Sequence, residues 1–229
     1  MSIASGDLVF SGVKNVCGYG LYHAFDSNRS ITSVSFPDLV STSGYSALAA
    51  AFYYCLEISS VSFPNLTTIG NGGMASAFYD GSKLSSVEFP RLETVMSSGL
   101  TSAFYWCELL TTASFPNLVS IRSSGLAKCF QRCTSLKSIS FPKLVQLSVY
   151  SLNSCFEGCT SLTSISFPSL GGDDPTTNID TNAFGSSCFS VCSNLTEIHF
   201  PATSQSGIEA CAGYSSKFGA SNATIYFDL

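Results

Sequence analysis

Apolar and polar positions in this chain recur on a clock much longer than that of a helix or a strand. Phe-Pro dipeptides begin at Phe36, Phe63, Phe89, Phe115, Phe141, Phe167 and Phe200, with spacings of 27, 26, 26, 26, 26 and 33. Phe10 lies 26 residues before the first and Phe227 lies 27 after the last, both without the proline. A second column of rings, Phe25, Phe52, Phe78, Phe104, Phe130, Phe156 and Phe189, stands 11 residues upstream of each dipeptide. Smaller apolar residues keep the same time. Ile or Leu stands five before each Phe-Pro, Val, Ala or Ile two before, and in nearly every unit Leu three after.

Each unit predicts its own elements. Ser-Ile-Ser-Phe at 164–167 alternates polar and apolar residues, the period of a half-buried strand, and the following proline ends it. The stretch around Ala-Phe-x-x-Cys has apolar positions at i, i+3 and i+4 and predicts one tight helical or 3₁₀ turn. Strand, turn and return make one coil of a solenoid. A single coil cannot bury its apolar face, so the coils must stack into a continuous core. The fold class is therefore a β-rich α/β solenoid of nine short parallel strands, spanning roughly 40 Å at the usual inter-strand distance. One domain, 1–229, is expected. Its first coil (1–25) and last coil (202–229) act as caps, its regular repeats run over 26–201, and the long interval places an insertion at 171–182.

The unit C-x-S-L-x-S-I-x-F-P-x-L-x-x-I, as it stands from Cys133 through Phe141 and Pro142, resembles the BspA-like leucine-rich repeat family. The resemblance covers about residues 8–227. It implies a right-handed leucine-rich-repeat solenoid, an adhesion or protein-interaction role without catalysis, and an extracellular or bacterial cell-surface location. Two features depart from the family pattern. The repeat is 26 residues instead of the shorter length common in the family, and MSIASGDLVF lacks the basic and apolar segments of a secretion signal. A cytoplasmic location therefore remains open.

Composition adds exclusions. With 45% hydrophobic and 11% charged residues the chain is not disordered. Sixteen of the 18 phenylalanines fall in the two columns, so the aromatic excess reports architecture. A net charge of −5 offers no basic surface for nucleic acid or anionic lipid, and no apolar run reaches the length of a membrane helix. The expected state is a monomer with a protein or glycan partner.

Candidate chemistry lies in positions that repeat and in the breaks between them. Outward-facing strand positions one residue before the ring include Ser62, Glu88, Ser114, Ser140, Ser166 and His199, with Glu197 in the column three before it. This hydroxyl face, on the concave side of such solenoids, is the first expected contact surface, although Ser/Thr pairs also bond across strands on a solvated sheet. Tyr53, Tyr79 and Tyr105 follow the second ring column, with Trp106 one step on. They fit either an exposed row for sugar or protein contacts or rings stacked along the turns. Cys55, Cys107, Cys133, Cys159 and Cys192 repeat three residues after the ring, and Cys129, Cys155 and Cys188 replace alanine just before it. Exchange with alanine indicates buried thiols, not zinc ligands, while Cys17 and Cys211 stand outside the ladders. Asp173, Asp174, Asn178, Asp180 and Asn182 crowd the insertion without an EF-hand spacing, so a solvated loop is expected. No metal or cofactor is expected. Ser166, His199 and Glu197 form an imaginable nucleophile–base–acid set beside Tyr226, but serine fills that column in most repeats. The chain reads as a non-catalytic interaction or adhesion module. A structural spacer in a larger surface or phage-tail-like assembly is the alternative, and carbohydrate binding by the aromatic row is the weaker one.

Overall fold

The computed structural model describes residues 5–229, so residues 1–4 of the expected N-terminal cap lie outside the described residues. Each regular coil contributes two strands. They are β1 (Gly6–Val9) and β2 (Asn15–Cys17), β3 (Ile31–Ser35) and β4 (Ser41–Ser43), β5 (Ser60–Ser62) and β6 (Thr68–Ile69), and β7 (Ser86–Glu88) and β8 (Thr94–Val95). There follow β9 (Thr112–Ser114) and β10 (Ser120–Ile121), then β11 (Ser138–Ser140) and β12 (Gln146–Leu147). The last coils hold β13 (Ser164–Ser166), the short helix α1 (Pro175–Asn178), β14 (Glu197–Phe200), the helix α2 (Gln205–Glu209) and β15 (Thr224–Phe227). All pairings are parallel and join equivalent positions of successive coils, as in Ser138↔Thr112 and Ile139↔Ala113.

The nine predicted strands are β1, β3, β5, β7, β9, β11, β13, β14 and β15. They are not one uninterrupted ladder: hydrogen bonding groups them as β1-β3-β5, β7-β9-β11 and β13-β14-β15. Strands β2, β4, β6, β8, β10 and β12 form a second, six-stranded sheet that the sequence reading did not anticipate. Its inward column is Val16, Thr42, Ile69, Val95, Ile121 and Leu147, all buried. Ile179 extends it by bridging to Leu147. The insertion thus carries this coil's own inner rung, not only a loop.

On the third side, the expected tight turns do not grow into helices in the regular coils. Around Phe52 alternate amides point in different directions. Ala49, Ala51, Tyr53 and Cys55 donate back to Ser46, Leu48, Ala50 and Phe52, whereas Leu48, Ala50, Phe52 and Tyr54 donate to Gly73, Ala75, Ala77 and Tyr79 of the next coil. The alternation requires left-handed backbone at every fourth residue, and Ser46, Ala50 and Tyr54 have φ of 54°, 51° and 54°. That conformation costs roughly 1–2 kcal/mol at a non-glycine residue. The inter-coil bonds and the ring stacking beneath them offset it.

Those rings form the core. Phe78, Phe104 and Phe130 stack at centroid distances of 5.6 and 5.7 Å, and Phe63, Phe89 and Phe115 at 5.6 and 5.3 Å. The two stacks meet edge to face, as Phe89 and Phe104 do at 6.3 Å, a preferred aromatic geometry. Phe184 and Phe218, which fit neither column by spacing, are also buried and stack on each other at 4.6 Å.

Candidate functional site

The strand face carries the first group of candidate residues. Alternation turns Val87, Ala113, Ile139 and Ile165 inward and presents Ser62, Glu88, Ser140, Ser166 and Glu197 to solvent, with Ser114 and His199 half-exposed. Cross-strand Ser/Thr bonding does not tie this face up. Among the described residues the hydroxyls of Ser62, Ser86, Ser114, Ser140 and Ser166 form no hydrogen bond to a neighbouring side chain. Their donors and acceptors are left to solvent or to a partner.

Two of the candidates line an opening in the sheet. The ladder is interrupted between β5 and β7, and Ser60, Ser62, Pro64, Ser86, Glu88 and Pro90 surround a groove of about 280 Å³ there. Val61, at the floor, is only partly buried, unlike its counterparts Val34 and Val87. Phe63 and Phe89 beneath it remain stacked at 5.6 Å, so the coils stay in register while strand backbone faces the groove. Glu88 is the charged group of the groove, beside the hydroxyls of Ser60, Ser62 and Ser86. The interruption itself has no signature in the sequence, because Ser-Val-Ser and Ser-Val-Glu match the other strands.

The C-terminal candidates form a separate cluster. His199 Nδ1 lies 2.9 Å from Asp228, its Nε2 lies 3.4 Å from Glu197, and its ring stacks on Tyr226 at 4.8 Å. The Asp228 carboxylate, helped by Glu197, raises the imidazole pKa above its ordinary value. Ser166 is the register neighbour of His199, yet both ring nitrogens are engaged by carboxylates and none bonds the serine. The contacts tie β14 to Asp228, which follows β15. Asp228 was not anticipated, since it lies beyond the last ring and outside the repeat columns.

The aromatic row is stacked. Tyr53 and Tyr79 are 4.8 Å apart, and Tyr79 and Tyr105 are 4.7 Å apart and nearly parallel. Trp106 packs edge-on against Tyr79 and Tyr105 and carries the Arg132 guanidinium 5.7 Å from its ring centre. Burial pushes the Tyr53 hydroxyl up to about 12. The three tyrosines are half-buried: Tyr79 and Tyr105 turn ring faces toward each other, and Tyr53 meets Tyr79 at a tilt of 36°.

The repeating cysteines are free and buried, and Cys17 is exposed. The thiols of Cys55, Cys107, Cys133, Cys159 and Cys192 donate to the carbonyls of Phe25, Phe78, Phe104, Phe130 and Phe156 in the preceding coil. Burial pushes Cys55 up to about 11 and Cys107 to about 12, which keeps them protonated and inert. In the insertion, Asp174 caps α1 through the Thr176 amide and hydroxyl, and Asp180 accepts the Asn182 amide. Among the described residues no group of three or more His, Cys, Asp or Glu side chains is placed to hold a metal ion. Nor is any described helix long and apolar enough to cross a membrane.

Comparison with known proteins agrees with the coil geometry. A family model described as a BspA type leucine rich repeat region matches in six copies, over residues 21–92, 46–187 and 102–219. No curated protein matches the chain. Among solved structures it is similar to a leucine-rich repeat protein from Bacteroides ovatus, with 20% identity and a TM-score of 0.38, covering 83% of this chain and 64% of that one. This chain thus spans less than two thirds of that protein's length. It is also similar to a leucine rich cell surface protein from Faecalibacterium prausnitzii, with 15% identity and a TM-score of 0.29, covering 94% of this chain and 83% of that one. With repeats matched across residues 21–219 and nine stacked strand rungs, this chain belongs to the BspA-type leucine-rich repeat family.

Proposed function

We propose that this protein is a non-catalytic interaction module whose strand face binds an extended segment of a partner protein. The observation that carries this reading is the groove between β5 and β7, where an interrupted ladder adjoins Ser60, Ser62, Ser86 and Glu88. Strand backbone and unengaged hydroxyls supply donors and acceptors for a peptide main chain, the mode by which sheets recognise extended ligands. Glu88 favours a partner carrying a basic residue at that point. Ser114, Ser140 and Ser166 continue the hydroxyl face beyond the groove. Display outside the cell is supported by the family, whose members serve adhesion and interaction at surfaces.

Random-peptide display on the immobilised protein, followed by calorimetry with the selected peptides, tests the proposal. Selected peptides should be extended and carry Lys or Arg. Glu88→Lys and Ser62→Lys should each weaken their binding at least about tenfold, the equivalent of 1.4 kcal/mol. Selection of no peptide, or equal binding by both variants, would overturn the reading and favour a spacer role.

A further inference from the structure

We infer that the margin between the second sheet and the turns binds an extended, uncharged oligosaccharide, seated at one end against the insertion and at the other against Tyr45. This inference is independent of the strand-face groove and of the row formed by Tyr53, Tyr79 and Tyr105.

The insertion builds the larger of two grooves on this margin. Between it and β12 lies a space of about 450 Å³, with Ser123, Gln146, Ser148, Thr177, Asp180 and Thr181 around it and the buried Leu147 and Ile179 beneath. The wall that α1 forms is fixed in place. Asp174 caps α1, Asn178 Nδ2 donates to Gly171 O at 3.0 Å, and the Asp180 amide donates to Leu147 O at 2.9 Å. On its far side α1 packs against α2 so closely that a Cβ at Gly207 would stand 2.9 Å from Pro175 O. A wall already held this way needs little ordering when a ligand arrives.

The polar groups of this groove are unengaged. Among the described residues the side chains of Ser123, Gln146, Ser148 and Thr181 form no hydrogen bond, and Asp180 uses one carboxylate oxygen on the Asn182 amide. The hydroxyls and the Gln146 amide both donate and accept, and Asp180 accepts, which suits a ligand with adjacent hydroxyl groups. The ladder from β2 to β12 is unbroken, so the backbone here is occupied by neighbouring strands and recognition falls to side chains.

A second groove, of about 390 Å³, lies farther along the same margin and is lined by Tyr45, Ser46, Asn71, Gly72, Ser97 and Ser98. One backbone column joins the two. The amides of Ser46, Gly72, Ser98 and Ser124 donate in turn to the carbonyls of Asn71, Ser97, Ser123 and Val149. Tyr45, Asn71, Ser97, Ser123 and Val149 are therefore one slot in successive coils, and the last two belong to the insertion groove. Tyr45 is 68% exposed and, unlike Tyr53, Tyr79 and Tyr105, meets no other ring among the described residues. Its ring is available to the apolar C–H face of a sugar. From Tyr45 to Val149 the column spans roughly 20 Å at the usual inter-strand distance, and an extended glycan advances by about one sugar ring per coil. Asp180 is the charged residue among those lining the two grooves, and neither Lys nor Arg lines them. An uncharged chain is favoured over an acidic one, which Asp180 would repel.

Calorimetry of the full chain with the pentasaccharides of glucose, mannose and N-acetylglucosamine tests the inference, with that of galacturonic acid as the acidic control. At least one of the neutral chains should bind with a Kd of about 1 mM or tighter, and the acidic chain more weakly. Gln146→Ala, which removes hydrogen bonds to the ligand, and Tyr45→Ala, which removes the ring platform, should each weaken that binding at least about fivefold. Glu88→Lys should leave it unchanged, which separates this site from the strand-face groove, and so should Tyr105→Ala. Circular dichroism checks that each variant is folded. If Gln146→Ala fails to fold, Thr181→Lys, at an exposed position, replaces it. The inference is overturned if no neutral pentasaccharide binds, if the acidic one binds as tightly, or if binding is indifferent to either Tyr45→Ala or the insertion-groove variant.

Discussion

Removing one interior ring gives the sharpest test of how the core is held. Phe104 is 0% exposed and stacks between Phe78 and Phe130 while its edge meets Phe89. Its own amide donates to Cys129 O and its carbonyl accepts the Cys133 thiol, so backbone bonds hold the neighbouring coils and limit collapse into a void. Truncation of a buried Phe to Ala costs about 3–5 kcal/mol, and sites unable to relax lie at the upper end, so Phe104→Ala should lose about 4–5 kcal/mol. Phe25 is the control. It is half-exposed, stacks on one side only, against Phe52, and has one edge contact with Phe10. About half the transfer and packing contribution is at stake there, giving roughly 2 kcal/mol for Phe25→Ala. Phe104→Leu keeps most of the volume but loses the ring geometry and should cost about 1–2 kcal/mol. Urea unfolding followed in parallel by far-ultraviolet circular dichroism and Trp106 fluorescence measures all three in dilute protein. Agreement between the probes would establish that the repeat array unfolds as one unit. A Phe104→Ala loss no greater than that of Phe25→Ala would refute the continuous-stack account.

The other predictions concern the turns, the thiols and the histidine. Ser102 has φ 54°, so Ser102→Gly should be neutral or slightly stabilising and Ser102→Val should cost about 1–2 kcal/mol, measured by urea midpoints. A helix at that position would give the opposite sign for glycine, a loss of about 1 kcal/mol. Titration with an aromatic disulfide should find one fast thiol, Cys17, in the native protein and all ten after denaturation, and more than one fast native thiol would contradict the buried ladder. His199 has its folded pKa raised by Asp228, so its stabilisation is fully present below the unfolded value of about 6.5 and is lost as pH rises through the folded pKa. His199→Gln should therefore lose more stability at about pH 6 than at about pH 9, and a pH-independent difference would dissolve the ion-pair assignment.

The sequence by itself determined the coil. Phe-Pro spacing counted the nine rungs, the alternation in Ser-Ile-Ser-Phe assigned inward and outward positions, and the Cys/Ala exchange identified buried small slots. These are legible because a one-dimensional stack repeats each local environment, so a slot is sampled seven to nine times along the chain. The second sheet was hidden although its column, six residues after each ring, also repeats. Strands such as Thr68–Ile69 and Thr94–Val95 have only two residues, too few to show an alternation. The turns are tight, as expected, and apolar spacing reports which of their side chains face inward. It does not report that alternate amides leave for the next coil. Only the tertiary structure decided where the face-strand ladder breaks, that Tyr79 and Tyr105 turn ring faces toward each other, and that His199 belongs to Asp228. Each of these depends on how one coil is seated on the next. Small differences in that seating open a groove or close it without changing any residue type.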